Sequence, residues 1–227
     1  MQRKTIIRLS VFAVAAALAL LTRRSVHLPA NFPAFAFDDA LLAHREFQIA
    51  VIGWLLFSVY WELTAGNAAP EKSSESPGSR GLHVFLVNVA ALLVLVPFRG
   101  LGRFLPLSSF IMSIGLTVEA VGLFLCFWAR RHLGRNWSGK ITIKIDHQLI
   151  RSGPYRLLRH PIYTGILAIY TGTTIVTGEW LAIIGLIMTA LAYWRKIRLE
   201  EVNLKVAFGA DYEAYCRQTW ALVPGLL

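Results

Sequence analysis

Long apolar runs separated by short charged segments set the layout of this chain. The first four runs lie near Thr5–Leu21, Phe47–Ala65, Leu82–Pro97 and Ser108–Ala129. Each approaches the ~20 residues that a helix needs to cross the hydrocarbon of a bilayer. The third is short and must stand upright or thin the bilayer around it. Two further apolar stretches, Pro161–Thr177 and Trp180–Trp194, are separated by Gly178-Glu179. They predict a thin helical hairpin that spans or re-enters and returns the chain to its starting side. From Glu200 to Trp220 the pattern turns amphipathic, with Val202, Val206 and Phe208 among charges. That predicts a helix on the membrane surface or folded over a loop. Gly66–Gly81, rich in Ser, Pro, Glu and Gly, reads as a solvated loop without stable structure. No internal repeat interrupts the series. The expectation is an all-α, polytopic membrane helical bundle of about six membrane helices, including a C-terminal helical hairpin, plus an amphipathic C-terminal helix. It divides into a four-span N-terminal region, 1–129, and a C-terminal region, 130–227.

Composition agrees. Of 227 residues, 56% are hydrophobic and 16% charged, a balance rare in soluble domains. Arg3, Lys4 and Arg8 before the first run give it the look of a signal peptide. Its apolar part is ~16 residues, at the upper end for such a segment. Thr22-Arg23-Arg24 follows without a cleavage pattern, which favours a retained span. The net charge of +10 lies beside the spans rather than on a separate face, which points to membrane lipid and away from nucleic acid. The most basic loop, Arg130–Arg159, belongs in the cytoplasm by the positive-inside rule. Counting back places the N-terminus there too, with the C-terminus on the same side, a topology that suits a bacterial inner membrane. Arg23, Arg24, Arg99 and Arg103 fall outside and count against it. Cys126 sits in an apolar run and Cys216 in the tail, a poor basis for a disulfide, a metal site or thiol chemistry.

The densest chemistry is His147–Gly165, HQLIRSGPYRLLRHPIYTG, where a basic loop enters an apolar helix. Pro161 suits a first helical turn. Arg159 and His160 then stand at a helix N-terminus, where free N–H groups and the dipole favour an anion such as a carboxylate or phosphate. The hairpin brings Glu200 and Glu201 back to this surface, so the acidic pair can face His160. That offers a split site, one half for negative groups and one for hydroxyls or a cation. Taken singly, Arg151, Arg156 and Arg159 read as interfacial anchors, His147 or His160 as a helix cap, and Tyr155 and Tyr163 as interfacial aromatics. Their joint occurrence at two points that the topology unites is what speaks for a site.

Arg159-His160-Pro161-Ile162-Tyr163-Thr164-Gly165, followed after a hairpin by Glu200-Glu201, resembles the isoprenylcysteine carboxyl methyltransferase family. Gly134-Arg135-Asn136-Trp137-Ser138, His147-Gln148-Leu149-Ile150, Gly153-Pro154-Tyr155 and the tail Phe208–Tyr215, ending with Pro224, are similar to it as well. The likeness runs from Gly134 to Pro224, whereas the first four spans are only generically alike. It implies an integral membrane enzyme that uses S-adenosylmethionine. By position Thr142, His147, Gln148, Leu149, Ile150, Gly153, Tyr155, His160, Pro161, Ile162 and Tyr163 would bind the cofactor, and Glu200 would complete the pocket. Where the prenylcysteine enzymes carry a substrate-contacting arginine, this chain has Lys196, flanked by Arg195 and Arg198, so the contact to substrate has moved or changed.

The residue types suit that cofactor. His147, Tyr155 or the helix end near His160 can hold its carboxylate, Glu200 its ribose hydroxyls or ammonium, and the backbone around Leu149 and Ile150 its adenine. The catalytic candidates are Arg159, His160 and Glu201; a carboxylate or thiolate acceptor needs no base, whereas an alcohol or amine calls on His160 or Glu201. The acceptor is expected to be lipophilic: an isoprenyl-thioether carboxylate, a phospholipid amine, or a small apolar acid or thiol. No metal is expected. Two other readings are open at this point: an NADPH-dependent membrane reductase of the sterol-reductase type, since the loop has basic residues for a 2′-phosphate, and a non-enzymatic membrane protein on the same scaffold.

Overall fold

The computed structural model describes residues 38–65, 71–74, 76–97, 101–138, 142–144 and 148–225. The expected first span, Thr5–Leu21, lies outside them. A short helix α1 (Asp39–Ala43) is capped by Asp38, whose side chain accepts from the Leu41 N–H at 3.3 Å. It leads into α2 (Arg45–Ala65), then α3 (Pro77–Leu95), α4 (Ser109–Leu133), α5 (Pro161–Thr177), α6 (Trp180–Phe208) and α7 (Ala210–Gln218). Helices α2, α3, α4 and α6 are long and apolar enough to cross a membrane. Helix α5, at 17 residues, is the short partner of α6 in the expected hairpin. Large apolar side chains such as Leu63, Phe110, Phe124 and Leu191 face outward. In a helical bundle of this composition that is the surface turned to lipid. The protein is an integral membrane protein.

Two boundaries differ from the sequence expectation. Gly66–Gly81 is not a structureless loop: strand β1 (Glu71–Ser74) pairs antiparallel with β2 (Thr142–Lys144), and α3 already begins at Pro77. Ser76 accepts from the Ser79 N–H at 3.3 Å, and Pro77 takes a first-turn position where its missing N–H costs nothing. Those added turns lengthen the short third span to 19 residues. The second difference is that α6 does not stop at Trp194 but runs unbroken for 29 residues through Glu200 and Glu201 to Phe208. No Gly or Pro interrupts it between Leu186 and Phe208. The break falls at Gly209, whose φ of 52° is a conformation that glycine adopts at no steric cost. At 1.5 Å per residue α6 is about 43 Å long, more than the ~30 Å hydrocarbon, so an end of it stands clear of the apolar layer.

Helices α4 and α5 pack backbone to backbone. A Cβ on Gly122 would lie 2.6 Å from the Gly165 carbonyl oxygen, and one on Gly165 would lie 2.6 Å from Cys126 Sγ. Only glycine permits that approach, a common device between membrane helices. A buried polar chain adds direction: Trp54 Nε1 donates to Thr173 Oγ1 at 2.9 Å, and Thr173 lies 3.0 Å from Glu119 Oε2, tying α2, α4 and α5 together. At the far end of α5, Phe104 N–H donates to Gly178 O at 2.7 Å and Arg103 meets Asp38 at 3.4 Å. That end is closed by loop contacts. The opposite end, where α5 begins, is where the cavities open.

Candidate functional site

Helix α5 starts at Pro161 with His160 as its N-cap residue. The start is held by the C-terminal segment, which runs parallel to it at Leu158 and Trp220. Arg159 N–H donates to Trp220 O at 2.8 Å, and His160 N–H to Ala221 O at 3.1 Å. Thr164 Oγ1 donates to Leu222 O at 2.7 Å. Helix α7 supports the preceding turn: Tyr215 donates to Tyr155 O at 2.6 Å. Burial pushes the Tyr215 phenol up to about 12, so it stays a donor at neutral pH. The Tyr155 phenol is raised as well, by burial first and then by the Glu200 carboxylate.

The acidic doublet arrives from α6 and its two members divide. Glu201 Oε1 accepts from Arg159 Nε at 2.8 Å and lies 3.3 Å from His160 Nε2. Arg159 also donates to the carbonyls of Cys216 and Thr219. The anion expected at the basic helix end is therefore supplied by the protein itself, as Glu201. Glu200 instead accepts from the Tyr163 hydroxyl at 2.7 Å and lines a cavity. His160 and Tyr163 lie nearly parallel, 5.4 Å between ring centroids.

Two cavities meet here. The outer one is walled by Asn136, Gln148, Leu149, Ile150, Tyr155, Arg159, His160, Ile162, Glu200, Asn203, Leu204, Tyr212 and Tyr215, among others. The inner one lies between helices and is walled by Trp54, Phe57, Trp61, His83, Val87, Ile166, Ile169, Tyr170, Tyr193 and Lys196. Trp137, Ser138 and Tyr163 are walls of both. Trp137 is fixed from two sides: Arg130 lies 3.9 Å above its ring, and Trp61 meets it edge-on at 5.5 Å.

Of the expected site residues, Gln148, Leu149, Ile150, Tyr155, Arg159, His160, Ile162, Tyr163 and Glu200 converge on the outer cavity. Pro161 forms the helix start beneath it, and Glu201 backs Arg159 and His160. Gly153 stands aside, with φ 58° and a Cβ position filled by the His132 ring. His147 falls outside the described residues, as does the Thr142 side chain. Lys196 lines the inner cavity rather than the outer one. Arg195 turns away and donates to Ser79 Oγ at 3.0 Å. No group of three or more metal-ligating side chains occurs among the described residues.

Known proteins resemble this chain in sequence and fold. Residues 114–206 match the family model of the isoprenylcysteine carboxyl methyltransferases. A protein-S-isoprenylcysteine O-methyltransferase of Dictyostelium discoideum is 30% identical over 197 residues, covering 85% of this chain and 81% of that protein. The chain belongs to the isoprenylcysteine carboxyl methyltransferase family. A probable protein-S-isoprenylcysteine O-methyltransferase of Oryza sativa is 30% identical over 118 residues. The match covers 51% of the chain and 62% of the rice protein, so the chain spans about three-fifths of that relative's length. The fold is shared with a solved eukaryotic intramembrane Ras methyltransferase of the same family, with a TM-score of 0.59 at 18% identity, covering 94% of this chain and 74% of that one. These relatives are named as methyltransferases, not as reductases.

In this family member several walls carried no signal in the sequence. Asn136, Trp137 and Ser138 lie in the family-like segment Gly134–Ser138, which by itself names no pocket role for them. Asn203, Leu204, Tyr212 and Tyr215 looked like an amphipathic surface helix, yet they close the outer cavity. Arg130 counted only as a cytoplasmic charge, yet it is 3% exposed and joins Thr64 O to Gly134 O across two helix ends. The spacing of Asn203 and Leu204 from Glu200, one helical turn on, could have revealed the first two.

Proposed function

We propose that this chain transfers a methyl group from S-adenosylmethionine to the carboxylate of an isoprenylcysteine-like lipophilic acceptor, where the cytosol meets the bilayer. The observation that carries the reading is the pair of abutting cavities with Trp137, Ser138 and Tyr163 as common walls. One has amides, phenols and a carboxylate for a polar nucleoside; the other is aromatic and lies between membrane helices. The donor set of the outer cavity fits the cofactor. Glu200, oriented by Tyr163, can accept from hydroxyls or an ammonium. Gln148, Asn136 and Asn203 offer amides, and Leu149 and Ile150 an apolar frame for a base. When bound, the cofactor supplies a sulfonium-activated methyl group, which a carboxylate takes without a base.

The residues of the chain then bind, orient and exclude water. Arg159 and His160, paired with Glu201, are positioning residues that fix the start of α5 and the rings of His160 and Tyr163. Alignment of two reactants in this way is worth ~7–11 kcal/mol of a barrier. Residues 130–227 are assigned as the cofactor-binding region, since every outer-cavity wall comes from them. Helices α2 and α3 complete the acceptor side. The basic loop Arg130–Arg159 faces the cytoplasm, with both chain ends on that side. The relatives named above are eukaryotic, which lends no support to a bacterial inner membrane.

The test is methyl-ester formation by purified protein in lipid nanodiscs, with radiolabelled S-adenosylmethionine and N-acetyl-S-farnesylcysteine. Base-labile methanol release is expected, and Glu200→Gln should weaken cofactor binding about tenfold by removing a charged hydrogen-bond acceptor. Unchanged cofactor affinity in Glu200→Gln would take Glu200 out of the site.

A further inference from the structure

Methyl transfer leaves one buried group unused. Glu119 is the one acidic residue of α4 and is 2% exposed. An ionisable side chain inside a membrane-spanning helix is costly to keep and points to function. Two glycines make room for it. A Cβ on Gly53 of α2 would lie 2.5 Å from Glu119 Oε1, and one on Gly172 of α5 would lie 2.5 Å from Glu119 N. The other oxygen, Oε2, lies 3.0 Å from Thr173 Oγ1, which accepts from Trp54 Nε1 at 2.9 Å. Trp54 and Thr173 are as deeply buried as Glu119 itself.

Trp54, at the end of that chain, is a wall of the inner cavity. Depth in this cavity follows the helices. On α5 the walls run from Tyr163, at the junction with the outer cavity, to Tyr170. On α2 they run back from Trp61, which meets the junction residue Trp137 edge-on, to Trp54, and on α3 from His83 to Val87. The three deepest walls touch one another. Trp54 meets Tyr170 edge-on with ring centroids 4.9 Å apart, and Tyr170 donates to Val87 O at 3.0 Å. Together they close the chamber with a floor about 10 Å from the junction, at 1.5 Å per residue from Tyr163 to Tyr170. Thr173 and Glu119 stand behind that floor.

We propose that Glu119, acting through Thr173, is a positioning residue that holds Trp54 as the floor of the acceptor chamber and so sets the length of isoprenyl tail the protein accepts. The assignment rests on the methyltransferase reading and adds the chemical class of its acceptor, a thioether whose tail ends at Trp54. A floor held in place turns away a longer tail because overfilling a close-packed interior forces side chains off their preferred rotamers. A floor free to shift repacks around the extra length.

The test compares N-acetyl-S-farnesylcysteine with N-acetyl-S-geranylgeranylcysteine, whose tail is one isoprene unit longer, on full-length protein in lipid nanodiscs. The unmutated protein should use the farnesyl acceptor about tenfold better by kcat/KM. Thr173→Val keeps the shape of the side chain but can neither accept from Trp54 nor reach Glu119, and it should bring the ratio close to one. Glu119→Ala should do the same, while Glu119→Gln, which keeps an oxygen for Thr173, should retain the preference. Loss of folded protein lowers both rates alike, so a purely structural role leaves the ratio unmoved. Thr173→Val and the unmutated protein decide the matter if Glu119→Ala fails to fold. Equal use of both acceptors by the unmutated protein, or an unchanged ratio in Thr173→Val, overturns the assignment and leaves the methyltransferase reading standing. Methylation of neither acceptor overturns both.

Discussion

The outer and inner cavities share Trp137, Ser138 and Tyr163 but draw on different stretches of chain. Walls of the outer cavity all fall between Leu133 and Tyr215, mostly in short runs such as Gln148–Ile150 and Arg159–Tyr163. Apart from the shared Trp137 and Ser138, those of the inner cavity are single residues from α2, α3, α5 and α6, from Trp54 to Lys196. A site made of loops and helix ends concentrates its chemistry in sequence, because each turn must place backbone and side chains together. A chamber between helices needs one inward side chain per turn from each. The contrast teaches that the cofactor side of this molecule is encoded locally, and the acceptor side by packing.

The strongest way to break the contrast is to strike α5, which with α6 serves both cavities. Gly165→Leu would force α5 off α4, where even a Cβ lies 2.7 Å from Gly122 O. Overpacking of a rigid interface costs 1–3 kcal/mol or more. We expect little folded protein, with both cavities lost, read as aggregation on size-exclusion chromatography. A variant that folds and binds cofactor normally would mean that α5 is placed by the C-terminal strap alone.

Arg159→Ala should separate the two sides. It leaves Glu201 without its guanidinium and frees the Cys216 and Thr219 carbonyls. Removing one member of a largely buried pair costs about 3 kcal/mol. We expect a lower melting temperature and lost affinity for S-adenosylmethionine, while acceptor binding to the inner cavity, read by tryptophan quenching, survives. Equal loss on both sides would erase the distinction between them.

How much of this was legible follows from the same contrast. The pairing of Glu200-Glu201 with Arg159-His160 was readable because a hairpin of two short apolar stretches must return to one surface. The split between the two glutamates was not, since it depends on α6 continuing through them as one helix and aiming neighbours about 100° apart. Ser76-Pro77 carries a helix-start signal that the polar run around it concealed. His83 and Lys196 could not be joined from sequence: they stand 113 positions apart, and only the packing of α3 on α6 brings them to one chamber.

Trp137→Ala probes the common wall. It removes the ring beneath Arg130 and the edge contact with Trp61. The cation–π term alone is worth about 0.5–2 kcal/mol. A smaller loss of stability than in Arg159→Ala is expected, with KM for cofactor and acceptor rising together by about tenfold at most. A change confined to one substrate would show that Trp137 belongs to a single cavity.

The smallest effect expected is that of Tyr215→Phe, which touches the outer cavity through a strut. The hydroxyl bonds the Tyr155 carbonyl at 2.6 Å, a contact worth about 1 kcal/mol. Burial raises this phenol from the ordinary value near 10 to about 12 in the folded state. A raised phenol contributes stability in full below pH 10 and loses it as the pH climbs toward 12, because the unfolded chain ionises first. Tyr215→Phe should therefore melt slightly earlier at pH 8 and lose less of its remaining stability between pH 9 and 11 than the unmutated protein. Melting curves in detergent across that range decide it. An unchanged alkaline decline would assign the effect to Tyr155 and Tyr212, whose phenols burial also raises, and would leave Tyr215 as a packing residue of α7.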